Sequence, residues 1–447
     1  MADVERAMAV LEVLLQYFPK HDALERDLGQ LMRRQGSVKD LVNRYFERAR
    51  KLVGEGRNVE AAGWLREVLQ LDPARKEAAR MLRLAHPKDV LMVLVSYLPV
   101  PTMIGEMKTK PTQHAVRAMN ATGLQPDFII ARSTVSIDEP RKKKLAVFCN
   151  VHEEDVIAAP DVTSIYEIPL NFEKDKLGDR ILKKFGMKSA TPDMADWKDL
   201  VARIKNAKHR VKIAIVGKYF QTGDFVLADS YISVIESIKH AAWAEGAKPE
   251  IVWLNSEEYE HDWKKLRELD AYDGIIVPGG FGPRGVEGKI LAIQYAREHK
   301  IPYFGLCYGM QLATIEFARN VCGLKGANTT EVDAKTPHPV ITPMEEQQSL
   351  IQEKHYGGSM RLGAYDCQLT PGSIAMRAYE KEKSGGSKTV MISERHRHRY
   401  EFNNKYRKEL IEKGLVVAGF NPQRNLVEII ELSDHPFFIG TQFHPEF

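Results

Sequence analysis

The stretch Phe304-Gly305-Leu306-Cys307-Tyr308-Gly309-Met310 constrains the fold of this chain more than any other. The run Pro302–Leu306 before it reads as a short strand, and a helical pattern follows from Met310 to Ala318. A chain that turns from strand to helix this sharply needs neighbours without side chains, and Gly305 and Gly309 supply them. The pattern is G-x-C-x-G, the thiol counterpart of the G-x-S-x-G elbow. It predicts an α/β fold in which Cys307 sits on a strained turn at a helix N-terminus. The helix dipole there is expected to favour the thiolate.

A cysteine in such a chain is commonly buried filler. Two further stretches argue for a nucleophile. The segment VPGGFGPRG, residues 277–285, follows a strand-like run and offers Gly280. Its backbone N–H is a candidate oxyanion donor, with the N–H of Tyr308 as the second. The segment QFHPEF, residues 442–447, places His444 and Glu446 two residues apart. In extended chain such residues point the same way. The carboxylate can then orient the imidazole while the imidazole deprotonates Cys307.

The chain has 447 residues, enough for two or three domains. Residues 1–85 read as helices, with Met8, Leu11, Leu14, Leu15 and Phe18 at helical spacing. Turns at Gly54-Glu55-Gly56 and Leu71-Asp72-Pro73 divide the later part into three helices. This is similar to a tetratricopeptide-type pair, and a plain helical-hairpin bundle fits equally. Residues 86–170 read as α/β, with strands expected at Val90–Tyr97, Phe128–Ser133, Leu145–Val151 and Ser164–Ile168. Residues 171–210, charged and helical with Pro192 and several lysines, read as a linker. From Val211 to Phe447 a second α/β domain runs through VKIAIVGKY, PEIVWLN, YDGIIVPGG and IPYFGLCYG to a β-rich tail.

Bulk properties exclude several classes. A net charge of +4 with no concentrated basic face argues against a nucleic-acid partner. The run Arg141–Lys144 reads as a solvated loop. Met1–Lys20 carries Asp3 and Glu5 and no basic region, so no signal peptide is expected. The apolar window Val90–Ile104 is too short for a bilayer and is broken by Pro99 and Pro101. Of Cys149, Cys307, Cys322 and Cys367, none forms a C-x-x-C pair. No metal site or disulfide is expected, and the location reads as cytoplasmic.

Three motifs, PGGFG, GLCYGMQ and FHPE, together resemble class I glutamine amidotransferases. From about Glu77 onward, IGEMKTKPTQHAV, LAVFCNV, DVTSIYEIP, GGSMRLG and ERHRHRYEFN resemble CTP synthases. The resemblance implies a flavodoxin-like amidotransferase domain at 211–447 and a partial P-loop-type α/β synthetase domain at 86–170, after an all-α segment. It implies glutamine bound by Gly280, Tyr308, Gly309, Met310, Gln311, Glu331 and Arg399. It implies UTP or CTP bound by Lys108, Thr109, Lys110, Pro111, Thr112, Gln113 and Lys144, and ATP near Asp161 and Val162. The implied reaction hydrolyses glutamine, while ATP phosphorylates O4 of UTP and ammonia, delivered through a tunnel, displaces the phosphate. ATP and Mg2+ serve that reaction, GTP promotes the glutaminase half, no cofactor is tightly bound, and the family forms tetramers.

The sequence departs from this pattern twice. The phosphate loop G-x-x-x-x-G-K-[ST] and the acidic Mg2+ ligands are not found. The nearest run, Gly282 to Gly288-Lys289, has the wrong spacing and continues with Ile290. Helical residues 1–76 stand where that site belongs, so the synthase half is expected to be absent or to depend on a partner. The family also continues beyond FHPEF with a further helix, so Glu446 is expected to be loosely placed. Tyr308 stands where many relatives have Leu. One reading is an enzyme retaining glutaminase chemistry. The other is a nucleotide-sensing or scaffold protein that recruits partners through residues 1–85. A natural fusion and a chimeric or truncated gene product both fit the sequence.

Overall fold

The computed structural model describes residues 2–18, 21–34, 37–103, 105–189, 191–218, 221–222, 225–226, 231–343, 360–380 and 390–447. Ile104, Tyr219 and residues 357–359, which belong to stretches read above, lie outside them. The chain divides into two compact units, Met1–Val201 and Ala202–Phe447. Among the described residues no helix is long and apolar enough to cross a membrane.

The first unit opens with the expected helices: α1 (Ala2–Tyr17), α2 (Asp22–Arg34), α3 (Val38–Gly54), α4 (Asn58–Leu71) and α5 (Lys76–Ala85). Their apolar stripes close on a core that includes Leu28, Leu41, Tyr45, Trp64 and Leu65. A three-stranded parallel sheet follows, in the order β1 (Val93–Tyr97), β2 (Phe128–Ser133) and β3 (Val156–Pro160). Helix α6 (Lys110–Asn120) connects β1 to β2, and α7 (Glu139–Cys149) connects β2 to β3.

Two expected strands are helical. Leu145–Val151 is mostly the end of α7, because Asp138 caps the helix by accepting from Arg141 N–H and Asn150 ends it in the left-handed region. Leu145 and Cys149, four residues apart, are its buried face. At Ser164–Ile168 the Ser164 hydroxyl accepts from Tyr166 N–H and starts a 3-10 turn, which leads into α8 (Ile168–Lys174). The strand that completes the sheet, β3, lies between the two. Nor is 171–210 a free linker from its start. Phe172 of α8 and Leu177 and Ile181 of α9 (Leu177–Lys184) pack on Phe128, Ile130 and Ile157. Helix α10 (Ala195–Asn206) follows.

The second unit is built on β4 (His209–Gly217), the short pair β5 (Gln221–Thr222) and β6 (Phe225–Val226), α11 (Ile232–Ala244), β7 (Ala247–Asn255) and α12 (Ser256–His261). Next come β8 (Gly274–Val277), α13 (Val286–Glu298), β9 (Tyr303–Leu306) and α14 (Tyr308–Asn320). The remainder is β10 (Asn328–Thr329), β11 (Pro339–Pro343), β12 (Arg361–Leu369), α15 (Ile374–Glu380), β13 (Met391–His398), β14 (Tyr400–Phe402), α16 (Arg407–Glu412), β15 (Leu415–Asn421), β16 (Leu426–Leu432) and β17 (Phe438–Thr441).

One nine-stranded sheet carries the order β13-β12-β15-β16-β17-β9-β8-β4-β7. Strands β7, β4, β8, β9 and β17 are parallel, and β16, β15, β12 and β13 extend the sheet in antiparallel fashion. This is the α/β architecture the elbow required. In parallel sheets of this kind, ligands meet the carboxyl ends of the strands. Three adjacent strands, β8, β9 and β17, end there, just before Gly279, Cys307 and His444.

Candidate active site

Cys307 leaves β9 with φ of 50° and ψ of −96°, a conformation that side chains rarely adopt. The turn is held because Cys307 N–H donates to Thr441 O of β17 at 2.7 Å. Packing enforces the flanking glycines. A Cβ on Gly309 would lie 2.2 Å from Val277 O, and one on Gly305 would lie 2.7 Å from the Gly309 carbonyl carbon.

Three residues beyond β17, His444 Nδ1 lies 2.8 Å from Glu446 Oε1. The pair is fixed on two sides. His444 N–H donates to Arg395 O at 2.8 Å, and the Ser237 hydroxyl donates to Glu446 O at 3.3 Å. The Glu446 side chain is 7% exposed. The loose placement expected for it is not what the structure has.

Gly279 brings nucleophile and base together, a role that sequence reading missed. A Cβ there would sit 2.9 Å from His444 Cε1 and 3.7 Å from Cys307 Cβ. The two side chains therefore converge on the space that a side chain at 279 would take. With Nδ1 committed to Glu446, the other ring nitrogen, Nε2, is left to exchange a proton.

The thiol environment differs from expectation. Burial pushes the Cys307 thiol up to about 12, and the Glu446 and Glu401 carboxylates push the same way, against the Tyr308 backbone N–H. The helix N-terminus does not yield a standing thiolate. Gln442, also missed, donates to Cys307 Sγ at 3.8 Å. Gln311 Nε2 in turn donates to Gln442 Oε1 at 3.3 Å and to Tyr400 O at 2.9 Å.

Cys307, His444 and Glu446 open into a cavity of about 730 Å³. Of the residues expected to hold glutamine, Gly280, Gln311, Glu331 and Arg399 line it. Gly309 and Met310 are packed beneath the elbow instead, Met310 being fully buried. The Tyr308 ring is also turned away from the cavity, and its hydroxyl donates to Gly282 O at 3.1 Å. Glu331 accepts from Gly282 N–H at 2.9 Å. Its carboxyl is raised by burial and pulled back by that N–H, then by Arg399 and Lys218.

Behind the cavity, β13 alternates. Arg395 and Arg397 are exposed and line the cavity, as buried His398 does, while His396 is buried away from it, the two imidazoles 2.8 Å apart through His396 Nδ1 and His398 Nε2. Buried Arg361 donates to Glu401 at 3.3 Å and to Glu428 at 2.9 Å. Nothing in the sequence announced this network, because its members are spread over β12, β13, β14 and β16.

The nucleotide candidates lie in the first unit. Thr109, Thr112 and Gln113 are buried at the start of α6. Thr112 meets Ser96 at 2.8 Å, and Gln113 Nε2 donates to Thr109 at 3.3 Å. Lys108 donates to Glu106 at 2.6 Å, and Lys110 lies 5.5 Å from the Phe148 ring. Pro111 opens α6 and Lys144 is exposed on α7. Asp161 accepts from Arg132 at 3.2 Å, with Val162 beside it in sequence.

A family model of the CTP synthase N-terminus matches residues 62–187, and one of class-I glutamine amidotransferase matches residues 226–447. The CTP synthase of Thermomicrobium roseum is 46% identical over 389 residues, covering 87% of this chain and 67% of that protein. This chain belongs to the CTP synthase family. The CTP synthase of Pelotomaculum thermopropionicum is 50% identical over 360 residues, covering 80% of this chain and 64% of its own length. The chain thus spans about two thirds of the length of these CTP synthases, 64% to 67%. A solved chain described as the glutaminase domain of Trypanosoma brucei CTPS with bound acivicin is 38% identical, with a TM-score of 0.48, covering 53% of this chain and 86% of that one. The match to the CTP synthase N-terminus starts at residue 62, inside α4, upstream of Glu77 where the motifs become legible.

Proposed function

We propose that this chain hydrolyses glutamine at Cys307 and that the ammonia serves the amination of UTP to CTP, as in a glutamine-hydrolysing CTP synthase. The observation that carries the reading is the meeting of Cys307 and His444 at Gly279, with Glu446 bonded to the imidazole. His444 Nε2 takes the Cys307 proton as sulfur attacks the carboxamide carbon. The carbonyl electrons move to oxygen, which the N–H groups of Gly280 and Tyr308 receive. His444 returns the proton to the leaving nitrogen, ammonia departs, and a thioester remains. Water, deprotonated by His444, then cleaves the thioester to glutamate. A thiol held near 12 in the free protein fits this order, because the proton leaves Cys307 only as charge develops on the substrate.

Arg399 offers a planar fork to the α-carboxylate and Glu331 a carboxylate to the α-ammonium. The buried Gln113 Oε1, without a partner among the described residues, supports a ligand donor near the start of α6, as UTP or CTP would supply. ATP near Asp161 and Val162 and activation by GTP are part of the same proposal. Among the described residues no group of three or more His, Cys, Asp or Glu side chains could hold a metal ion. Mg2+ would be held largely by the phosphates of the nucleotide, and no step is derived through it. Residues 1–85, tetratricopeptide-like, would serve oligomer or partner contacts, and 86–170 would form part of a synthetase domain in a cytoplasmic protein. A scaffold role is less favoured, since it gives no reason to bury Glu446 against His444.

Purified protein should release glutamate from glutamine, and Cys307→Ala should abolish the release. Equal rates in the two proteins would refute the reading. Supplying ammonia, UTP and ATP tests the synthase half, with CTP as the readout.

A further inference from the structure

Beneath the glycine loop lies an amine that the chemistry above does not use. Lys289, in the first turns of α13, is fully buried. Among the described residues its Nζ has no hydrogen-bond partner. It lies 5.6 Å from the centroid of the Tyr308 ring. A Cβ on Gly280 would be 3.8 Å from this Nζ and 3.6 Å from Tyr308 Cδ1. The amine is therefore set under Gly280, the residue proposed above to offer its N–H to the substrate oxygen.

Ser256 Oγ, against Gly285, is likewise buried with no partner among the described residues, while several other polar groups around the loop are hydrogen-bonded. Lys218 donates to Phe281 O, Tyr308 to Gly282 O, and Gly282 N–H to Glu331. The carboxylates around α13 are committed elsewhere. Glu257 of α12 pairs with Arg284, and Glu260 accepts from Gly288 N–H. Glu287, on α13 itself, pairs with Arg319. Glu268 and Asp270, from the turn before β8, accept from Tyr259 and Tyr295. The Tyr303 hydroxyl of β9 donates to Gly309 O. Burial, then the like charge of Lys218, pulls the Lys289 amine down to about 7. A methionine would fill the position without the penalty of an unpaired buried amine.

We infer that Lys289 is a positioning residue of the oxyanion site, whose ammonium under Gly280 and the Tyr308 ring answers the negative charge that gathers at the two backbone N–H groups. This rests on the glutaminase reading above. Among the described residues none hydrogen-bonds the amine. Attack by Cys307 creates the anion, and in a dry site the two charges act on each other with little screening. The Tyr308 ring face keeps the ammonium in place meanwhile.

The test is glutamate release by the full chain and by Lys289→Met, from pH 6 to pH 9. At pH 6.5 kcat should fall about tenfold, less than the roughly hundredfold that loss of a direct oxyanion donor costs. KM for glutamine should stay within about twofold, since the charge acts on the transition state. The deficit should shrink above pH 7, where the unsubstituted protein loses its own ammonium. The thermal midpoint should hold or rise. An unchanged kcat at pH 6.5, a deficit constant across pH, or a loss that tracks a lower midpoint overturns the inference. If Met is not accommodated, Lys289→Gln is judged on the same criteria. A parent protein no more active than Cys307→Ala overturns the glutaminase reading and this inference together. An active parent with an indistinguishable Lys289→Met overturns this inference alone.

Discussion

Glu446 holds the Nδ1 of His444 with one oxygen at 2.8 Å, and its other oxygen is buried without a partner among the described residues. A carboxylate kept under those conditions is poorly solvated. It regains most when the imidazole beside it becomes charged, which happens each time His444 takes the Cys307 proton.

Glu446→Gln should therefore separate catalysis from stability. We expect kcat for glutamine hydrolysis to fall roughly 10²- to 10⁴-fold, as when a triad carboxylate is neutralised. The thermal midpoint should not fall, because the amide is the easier group to bury. A variant with parental kcat would show that Glu446 does not orient the base.

Gly279→Ala tests the convergence of nucleophile and base. The added methyl would stand 2.9 Å from His444 Cε1, so the ring must move. A displacement of about 1 Å costs roughly a hundredfold in rate. Gly279 is not among the glycines with positive φ, so the variant should fold, and its circular dichroism should match the parent. Hydrolysis within threefold of the parent would refute the geometry.

Arg399 and Glu331 should divide the recognition of the amino-acid end. Arg399→Ala is expected to raise KM for glutamine by about tenfold or more, and Arg399→Lys to recover only part, because an ammonium cannot make the two-pronged contact. Full recovery by Lys would show that charge alone suffices there.

The buried network around Arg361 predicts a pH dependence of stability. Burial pushes the Glu401 carboxyl up to about 8, Arg361 opposing and Glu428 adding to the rise. The folded protein thus keeps a proton that the unfolded chain, with an ordinary carboxyl near 4.5, has lost. Stability from this group is full below the unfolded value and is lost as pH rises through 8. Glu401→Gln should match the parent near pH 5 and exceed it at pH 9, by roughly 1–3 kcal/mol for a poorly compensated buried charge. Parallel denaturation curves across that range would refute the assignment.

The elbow, the glycine loop and the His-x-Glu pair were legible because each is local. A turn, a helix start and an extended pair follow from neighbours in sequence. Gly279, Gln442 and Lys289 were not, since each matters through what another strand or helix brings against it. In the sequence Lys289 stands out only as the end of an incomplete phosphate-loop pattern. The strand misread at Leu145–Val151 has a similar cause. A short apolar run looks the same in a strand and in a buried helix end, and the cap at Asp138 decides it. The expected thiolate failed because a helix N-terminus says nothing about burial, and here burial dominates.

Cys307 and His444 leave neighbouring strands, and the bond from Cys307 N–H to Thr441 O is a rung between them. Cys307 is thus tied at its own amide to the strand from which the chain reaches His444 three residues later. The Cys307 amide should exchange with solvent only when the centre of the sheet opens, at close to the free energy of unfolding the whole unit. Damage to distant core residues would then reach the site through the fraction of molecules unfolded. The surviving folded molecules would keep full chemistry.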